Sequence, residues 1–154
     1  MTATLRYDVV PSPLGDLLLT SDGERLTGLI FDETPTDEME RDRAALKGPV
    51  DQLKAYLAGE LKDFDLELDQ PGTEFQQRVW AELMSIPYGE TISYAELAHR
   101  IGQPKASRAV GSANGRNRIA IVVPCHRVIA ADGTLGGYGG ELWRKEWLLN
   151  LERR

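Results

Sequence analysis

The chain holds one cysteine, Cys125, followed directly by His126 and preceded by Pro124, at the end of the apolar run 119–123. A thiol beside an imidazole is the raw material of a nucleophilic site, because the thiolate is the reactive form and a base or nearby positive charge raises its share near neutral pH. Positive charge is close in sequence: residues 97–131 contain no acidic side chain but include Arg100, Lys105, Arg108, Arg116, Arg118 and Arg127. If the apolar run is a strand, Cys125 and His126 face opposite sides. Contact between them then requires a bridging water or an irregular backbone at Pro124. The imidazole also needs an orienting carboxylate, and Glu152 can supply it only if the last helix folds back onto the site. The bland alternative is a small, inert, buried cysteine.

One cysteine excludes an intrachain disulfide framework, and with only His99 and His126 beside it a structural zinc site is not expected. No cofactor is implied. Length and composition, 154 residues with 42% hydrophobic content, fit one domain or two small ones rather than a disordered chain. No apolar run is long enough to span a bilayer, and MTATLRYDVV has no secretory pattern, so a cytoplasmic protein without a membrane partner is expected. The net charge of −6 is unevenly spread, since residues 1–70 carry 16 acidic and 7 basic side chains. A basic island within an acidic protein fits a phosphate footprint or a solvated basic face.

The elements that must hold these residues are legible in outline. Residues 5–10, 16–21 and 26–31 read as antiparallel strands separated by turn signals, and 37–47 and 50–58 as helices. Residues 64–68 alternate like a further strand, and Asp69-Gln70-Pro71-Gly72 marks a boundary. Beyond it, Thr73 with Gln76 and Ser93 with Glu96 have capping-box spacing. The second box opens a helix over 94–101, Gly102 breaks it, and Pro104 starts another over 105–114, rich in small residues, which together suggest a helix-turn-helix. Residues 141–152 close the chain as an amphipathic helix whose Trp143 and Trp147 read as core. The fold class is α/β (α+β): a small N-terminal antiparallel sheet with helices (1–70), then a mostly helical C-terminal domain (71–154).

Pro124-Cys125-His126-Arg127-Val128-Ile129, seventeen residues beyond the start of Arg108-Ala109-Val110-Gly111, follows Asn117 and precedes Gly136, Tyr138, Gly140, Leu142, Lys145, Glu146 and Trp147. Over about residues 73–152 this order and spacing resembles the O6-alkylguanine-DNA alkyltransferase family. The resemblance implies direct-reversal DNA repair: irreversible, single-turnover transfer of an alkyl group from guanine O6, and more weakly thymine O4, to the protein's own cysteine. It implies residues 1–70 as scaffold and 71–154 as the DNA-binding, alkyl-transfer domain. Cys125 resembles the alkyl acceptor, His126 its water-mediated base, Glu152 the orienting carboxylate, and Asn117 the hinge beneath the site. Tyr94 matches the tyrosine that assists nucleotide rotation and hydrogen-bonds the guanine ring.

Arg108 resembles the arginine that fills the gap left by the base. Lys105, Ala106, Ser107, Gly111, Ser112 and Arg116 lie on the helix that the family places in the minor groove of double-stranded DNA. Val128, Tyr138, Gly139 and Gly140 join Tyr94 in the implied pocket, with the Cys125 and Val128 backbone reading the guanine edge. Gly139 replaces a serine found in many members, and Ala120 a proline that lines the alkyl pocket in some. A monomer is expected, with cooperativity on DNA left open. Three other readings compete: a lesion-binding module without chemistry, whose relatives lack the acceptor cysteine; a sequence-specific helix-turn-helix regulator; and a thiol hydrolase, for which no oxyanion site is evident.

Overall fold

The computed structural model describes residues 4–136 and 141–154 and divides into two compact units between Gln70 and Pro71. In the first unit, β1 (Arg6–Val10), β2 (Leu17–Ser21) and β3 (Leu26–Phe31) form an antiparallel meander. The Asp22 side chain organises the second turn by accepting from the backbone N–H groups of Glu24 at 2.9 Å and Arg25 at 2.7 Å. Every residue of β2 is buried.

The sheet is mixed rather than antiparallel throughout. A short β4 (Glu40–Arg41) runs parallel to β1, giving the order β3-β2-β1-β4. Residues 37–47 are therefore not the expected helix. The N–H groups of Glu40 and Asp42 donate to the carbonyls of Leu5 and Tyr7, both at 2.9 Å, so sheet pairing takes hydrogen bonds that a helix would have needed. The helix α1 spans Lys47–Leu57. Of residues 64–68, only Leu68 makes a bridge, to Leu26. Arg41 and Lys47 are paired with Asp8 and Asp51 at 3.0 and 2.6 Å.

The second unit packs α2 (Glu74–Leu83), α3 (Tyr94–Arg100) and α4 (Ser107–Gly115) against one another. Thr73 caps α2 in a full capping box with Gln76, as its spacing predicts. The buried Trp80 ring donates from Nε1 to the Ala113 carbonyl at 2.9 Å, fastening α2 to α4. Ser93 caps α3 through Glu96 N–H, but the Glu96 carboxylate turns to Arg100 instead of closing a box. A turn through Gly102, at φ +78°, separates α3 from α4, which starts at Ser107 rather than at residue 105. Two residues each of β5 (Ile92–Ser93) and β6 (Val128–Ile129) pair in parallel, tying the start of α3 to the segment just after Cys125.

The last helix, α5 (Leu142–Glu152), buries Arg144, Lys145, Leu148, Leu149, Leu151 and Glu152. Trp143 is 47% exposed and Trp147 half-buried, so the tryptophans do not fill the core as their spacing suggested. The face turned inward is the one whose polar groups have partners. Among the described residues no helix is long and apolar enough to cross a membrane.

Candidate active site

The run before the cysteine is not a strand. Val122 N–H bonds to the Ala120 carbonyl at 2.8 Å around Ile121, whose φ of +71° is strained for a β-branched side chain. A second tight turn links Cys125 N–H to the Val123 carbonyl, also at 2.8 Å, around Pro124. Asn117 braces both turns: its Nδ2 donates to the Val123 carbonyl at 2.8 Å and its Oδ1 accepts from Ile119 N–H at 3.0 Å. Residues Cys125–Arg127 then form a single 3-10 turn. Strand alternation does not apply there, which removes the geometric objection to Cys125 and His126 acting together.

His126 is wholly buried, and its Nε2 lies 2.7 Å from Glu152 Oε2. Arg127 grips the same carboxylate with two bonds, Nε to Oε1 at 2.9 Å and Nη2 to Oε2 at 3.1 Å, while its Nη1 donates to the Ile86 carbonyl at 2.6 Å. A carboxylate neutralised by a guanidinium only accepts, so Nε2 must carry the imidazole proton. Burial pushes the His126 pKa down, and the ring is neutral with a lone pair on Nδ1. That Nδ1 has no hydrogen-bond partner among the described residues. A fixed, neutral imidazole with an open basic nitrogen is built to take a proton.

Lys145 and Glu152 lie seven residues apart on one face of α5 and so address this turn from two places. The Lys145 ammonium is fully buried, donates to the carbonyls of Val128 (2.6 Å) and Leu135, and sits 5.9 Å from the centre of the Tyr94 ring. Burial lowers its pKa to about 8. Burial likewise pushes the Cys125 thiol up, opposed by a hydrogen bond with Asn117 and by the Lys145 charge. The positive charge acting on the thiol thus comes from α5. Within the basic island, Arg100 is paired with Glu96 and Arg127 with Glu152.

Tyr94 stands against α4, where a Cβ on Gly111 would lie 3.8 Å from its ring, and against Gly136, where one would lie 3.2 Å away. Its hydroxyl is pushed toward higher pKa by burial and by the Cys125 charge, with the Asn114 side chain acting in the other direction. Asn114 Nδ2 donates to the Cys125 carbonyl at 3.3 Å. Of the backbone at Cys125 and Val128, expected to read a purine edge, the Cys125 carbonyl already accepts from both Asn114 Nδ2 and Val128 N–H, and the Val128 carbonyl accepts from Lys145.

Cys125, His126, Glu152, Asn117, Tyr94 and Val128 are therefore gathered at one place. Lys105, Arg108, Ser112 and Arg116 form a separate, exposed group along α4 and its ends, with Ala106, Ser107 and Gly111 half-buried beside them. Tyr138, Gly139 and Gly140 lie outside the described residues. The catalytic environment has three members that the residue-by-residue reading did not assign: Asn114, Arg127 and Lys145. A lysine two helical turns before Glu152, on the same helix face as Leu148 and Leu149, was the available signal for the last. Among the described residues no group of three His, Cys, Asp or Glu side chains could hold a metal ion.

The family model for the 6-O-methylguanine DNA methyltransferase DNA binding domain matches residues 74–154, and that for the ribonuclease-like domain of the same methyltransferase matches 5–70. The chain belongs to the 6-O-methylguanine DNA methyltransferase family. A methylated-DNA–protein-cysteine methyltransferase of Mycobacterium tuberculosis is 56% identical, over 97% of this chain and 93% of the relative. One from Methanosarcina acetivorans is 51% identical over 95% of this chain and 97% of its own length. A crystal structure of Mycobacterium tuberculosis OGT in complex with DNA superposes with a TM-score of 0.91 at 56% identity, covering 96% of this chain and 92% of that one.

Proposed function

We propose that this protein repairs alkylated DNA by moving the alkyl group from guanine O6, and less readily from thymine O4, onto the sulfur of Cys125. The observation that carries the reading is the setting of that sulfur. It lies on a braced turn that continues into a neutral imidazole with an open Nδ1 and whose thiol is coupled by charge to a buried ammonium and a phenol, in a family whose relatives bear this activity in their names. His126 takes the thiol proton through a bridging water, and Glu152 with Arg127 keeps the ring in the tautomer that can accept it. The thiolate attacks the saturated carbon, the carbon–O6 bond breaks, and the purine leaves with the electron pair. Tyr94 donates to the ring as its negative charge grows. The product is a thioether with no carbonyl for water to attack, so one chain repairs one lesion.

Cys125 is only 6% exposed, which a base stacked in a duplex cannot reach. The nucleotide must swing out, at a cost of about a few kcal/mol that is least for a poorly paired damaged base. Arg108, exposed on α4, fills the gap, and α3 with α4 acts as a helix-turn-helix in the minor groove, where little sequence is read. The protein works as a monomer in the cytoplasm.

The test is intact-mass analysis after incubation with an oligonucleotide containing O6-methylguanine. The expected result is one methyl group in place of one hydrogen on the peptide containing Cys125, in a stoichiometry that stops at one per chain. Cys125→Ser should bind the DNA and gain nothing. Repeated turnover, or a wild-type chain with no added mass, would overturn the reading.

A further inference from the structure

The loop between α2 and β5 carries no group that touches the sulfur, yet it holds both members of the ion pair behind His126. Glu90 N–H bonds to the Pro87 carbonyl at 3.1 Å and closes a tight turn over residues 87–90. Gly89 stands third in it at a φ of +83°, the value a type II turn requires there. Relative to a type I turn the central peptide plane is turned over, so the Gly89 N–H points where the Tyr88 carbonyl would otherwise stand. That N–H donates to Glu152 Oε1 at 3.3 Å. A few atoms away the Ile86 carbonyl accepts from Arg127 Nη1 at 2.6 Å, and the Tyr88 ring centre lies 5.8 Å from the guanidinium carbon.

Hydrogen bonds to the Glu152 carboxylate thus come from Gly89 and Arg127 Nε on Oε1, and from His126 and Arg127 Nη2 on Oε2. They match the roughly four acceptor sites that a carboxylate offers. We propose that Gly89 is a positioning residue for alkyl transfer, whose backbone N–H completes the shell of Glu152 and so keeps the His126 proton on Nε2 and Nδ1 open to the thiol proton. The inference rests on the functional reading above. A carboxylate with an unfilled oxygen can rotate or draw a proton onto the ring, and either event puts hydrogen on Nδ1 and blocks the base. Glycine suits the position because a Cβ there would lie 3.1 Å from the Glu152 carbonyl oxygen, and because a positive φ is what turns the donor inward. The thiol proton then passes to Nδ1, the sulfur takes the methyl group, and the purine keeps the electron pair of the broken carbon–O6 bond.

The test removes that one donor. Glycolic acid in place of Gly89, introduced by semisynthesis, puts an ester oxygen where the N–H stood and adds no side chain. Near neutral pH this chain should react at Cys125 about tenfold more slowly, the worth of one hydrogen bond to a charged group. The loss should be alike for iodoacetamide and for O6-methylguanine DNA in single turnover, because the base serves the sulfur and not the leaving group. With iodoacetamide it should fade as pH climbs through the thiol's own ionisation, where hydroxide takes the proton without His126. The other charged groups bearing on the imidazole, Arg127 beside it and Lys145 on α5, are the same in both chains and cancel in the comparison. Rates within about twofold of the wild type near neutral pH, or a loss equal at every pH, mean that the N–H only supports the turn and overturn the proposal.

The nitrogen-15 spectrum of His126 reads the same event without a reaction. In the wild type Nδ1 should resonate as a bare ring nitrogen, and in the ester it should move toward the protonated position. An unchanged spectrum refutes the proposal. If the ester does not fold, the wild-type Gly89 amide decides: its hydrogen exchange should be at least about tenfold slower than that of an open loop, and exchange at the open rate refutes the bond. A wild-type chain that takes up iodoacetamide but no methyl group from DNA refutes the functional reading instead, and the imidazole spectrum then still decides the role of Gly89.

Discussion

At the scale of single residues, the site places two unlike charges in the interior and gives each a different solution. Glu152 is neutralised by a bidentate guanidinium and bonded to His126, so removing its charge leaves Arg127 buried and unpaired. Glu152→Gln should lower stability by about 3 kcal/mol in urea titration, as for other broken buried pairs, and slow both methyl transfer and iodoacetamide alkylation by freeing the imidazole tautomer. Lys145 donates to two carbonyls beside the Tyr94 ring, and burial lowers its folded pKa from 10.5 to about 8. Between these values the unfolded chain binds a proton that the native state does not. The stability of the wild type relative to Lys145→Met should therefore rise with pH from about 8 to 10.5 and stay level below that window, read from urea midpoints across pH. Over the same rise the thiolate loses its nearest cation, so iodoacetamide alkylation should depend more steeply on pH in Lys145→Met than in the wild type.

At the scale of elements, what was readable in the sequence was what local chemistry fixes. The strands over residues 6–31, the Thr73 box and the break at Gly102 follow from alternation, capping and a positive φ, and each is present. Residues 37–47 failed because their amphipathic spacing competed with open backbone groups on β1, which no local pattern reveals. The backbone before Cys125 stood open between a strand and an irregular path, and the Asn117 side chain decides for the irregular one by bonding Ile119 and Val123. The inward turn of Lys145 in place of Trp143 depends on carbonyls at residues 128 and 135, again invisible in the helix's own sequence.

Two glycines beside Tyr94 separate local from distant control. Gly111 lies within α4, and a Cβ there makes ordinary contact at 3.8 Å. Gly111→Ala should raise thermal stability by up to about 1 kcal/mol through helix propensity, while weakening DNA binding if close backbone approach matters. Gly136 has φ +70° and a Cβ would press the ring at 3.2 Å. Gly136→Ala should be destabilised by about 1 kcal/mol or more and slow alkyl transfer, measured in the same melting and single-turnover assays.

At the scale of the whole molecule, an acidic chain of net charge −6 must still hold a polyanion. Screening resolves the conflict, since at physiological ionic strength charges act over about 8 Å and only those at the contact count. The buried Arg127 and the paired Arg100 are removed from the basic island, which leaves Lys105, Arg108, Arg116 and Arg118 exposed along α4 and the turn after it. Four phosphates neutralised predict a log–log salt dependence of affinity with slope near about −4, and Arg116→Ala should bring it to roughly −3 without changing sequence preference. A flat dependence would remove this face as the footprint. Arg108 has a second duty that charge alone does not describe: if it fills the space of the extruded nucleotide, it matters only where there is a stack to fill. Arg108→Ala should then slow transfer from O6-methylguanine far more in duplex than in single-stranded substrate, at matched saturation. Equal slowing in both would make Arg108 one more phosphate contact and return the cost of extrusion to the lesion's own weak pairing.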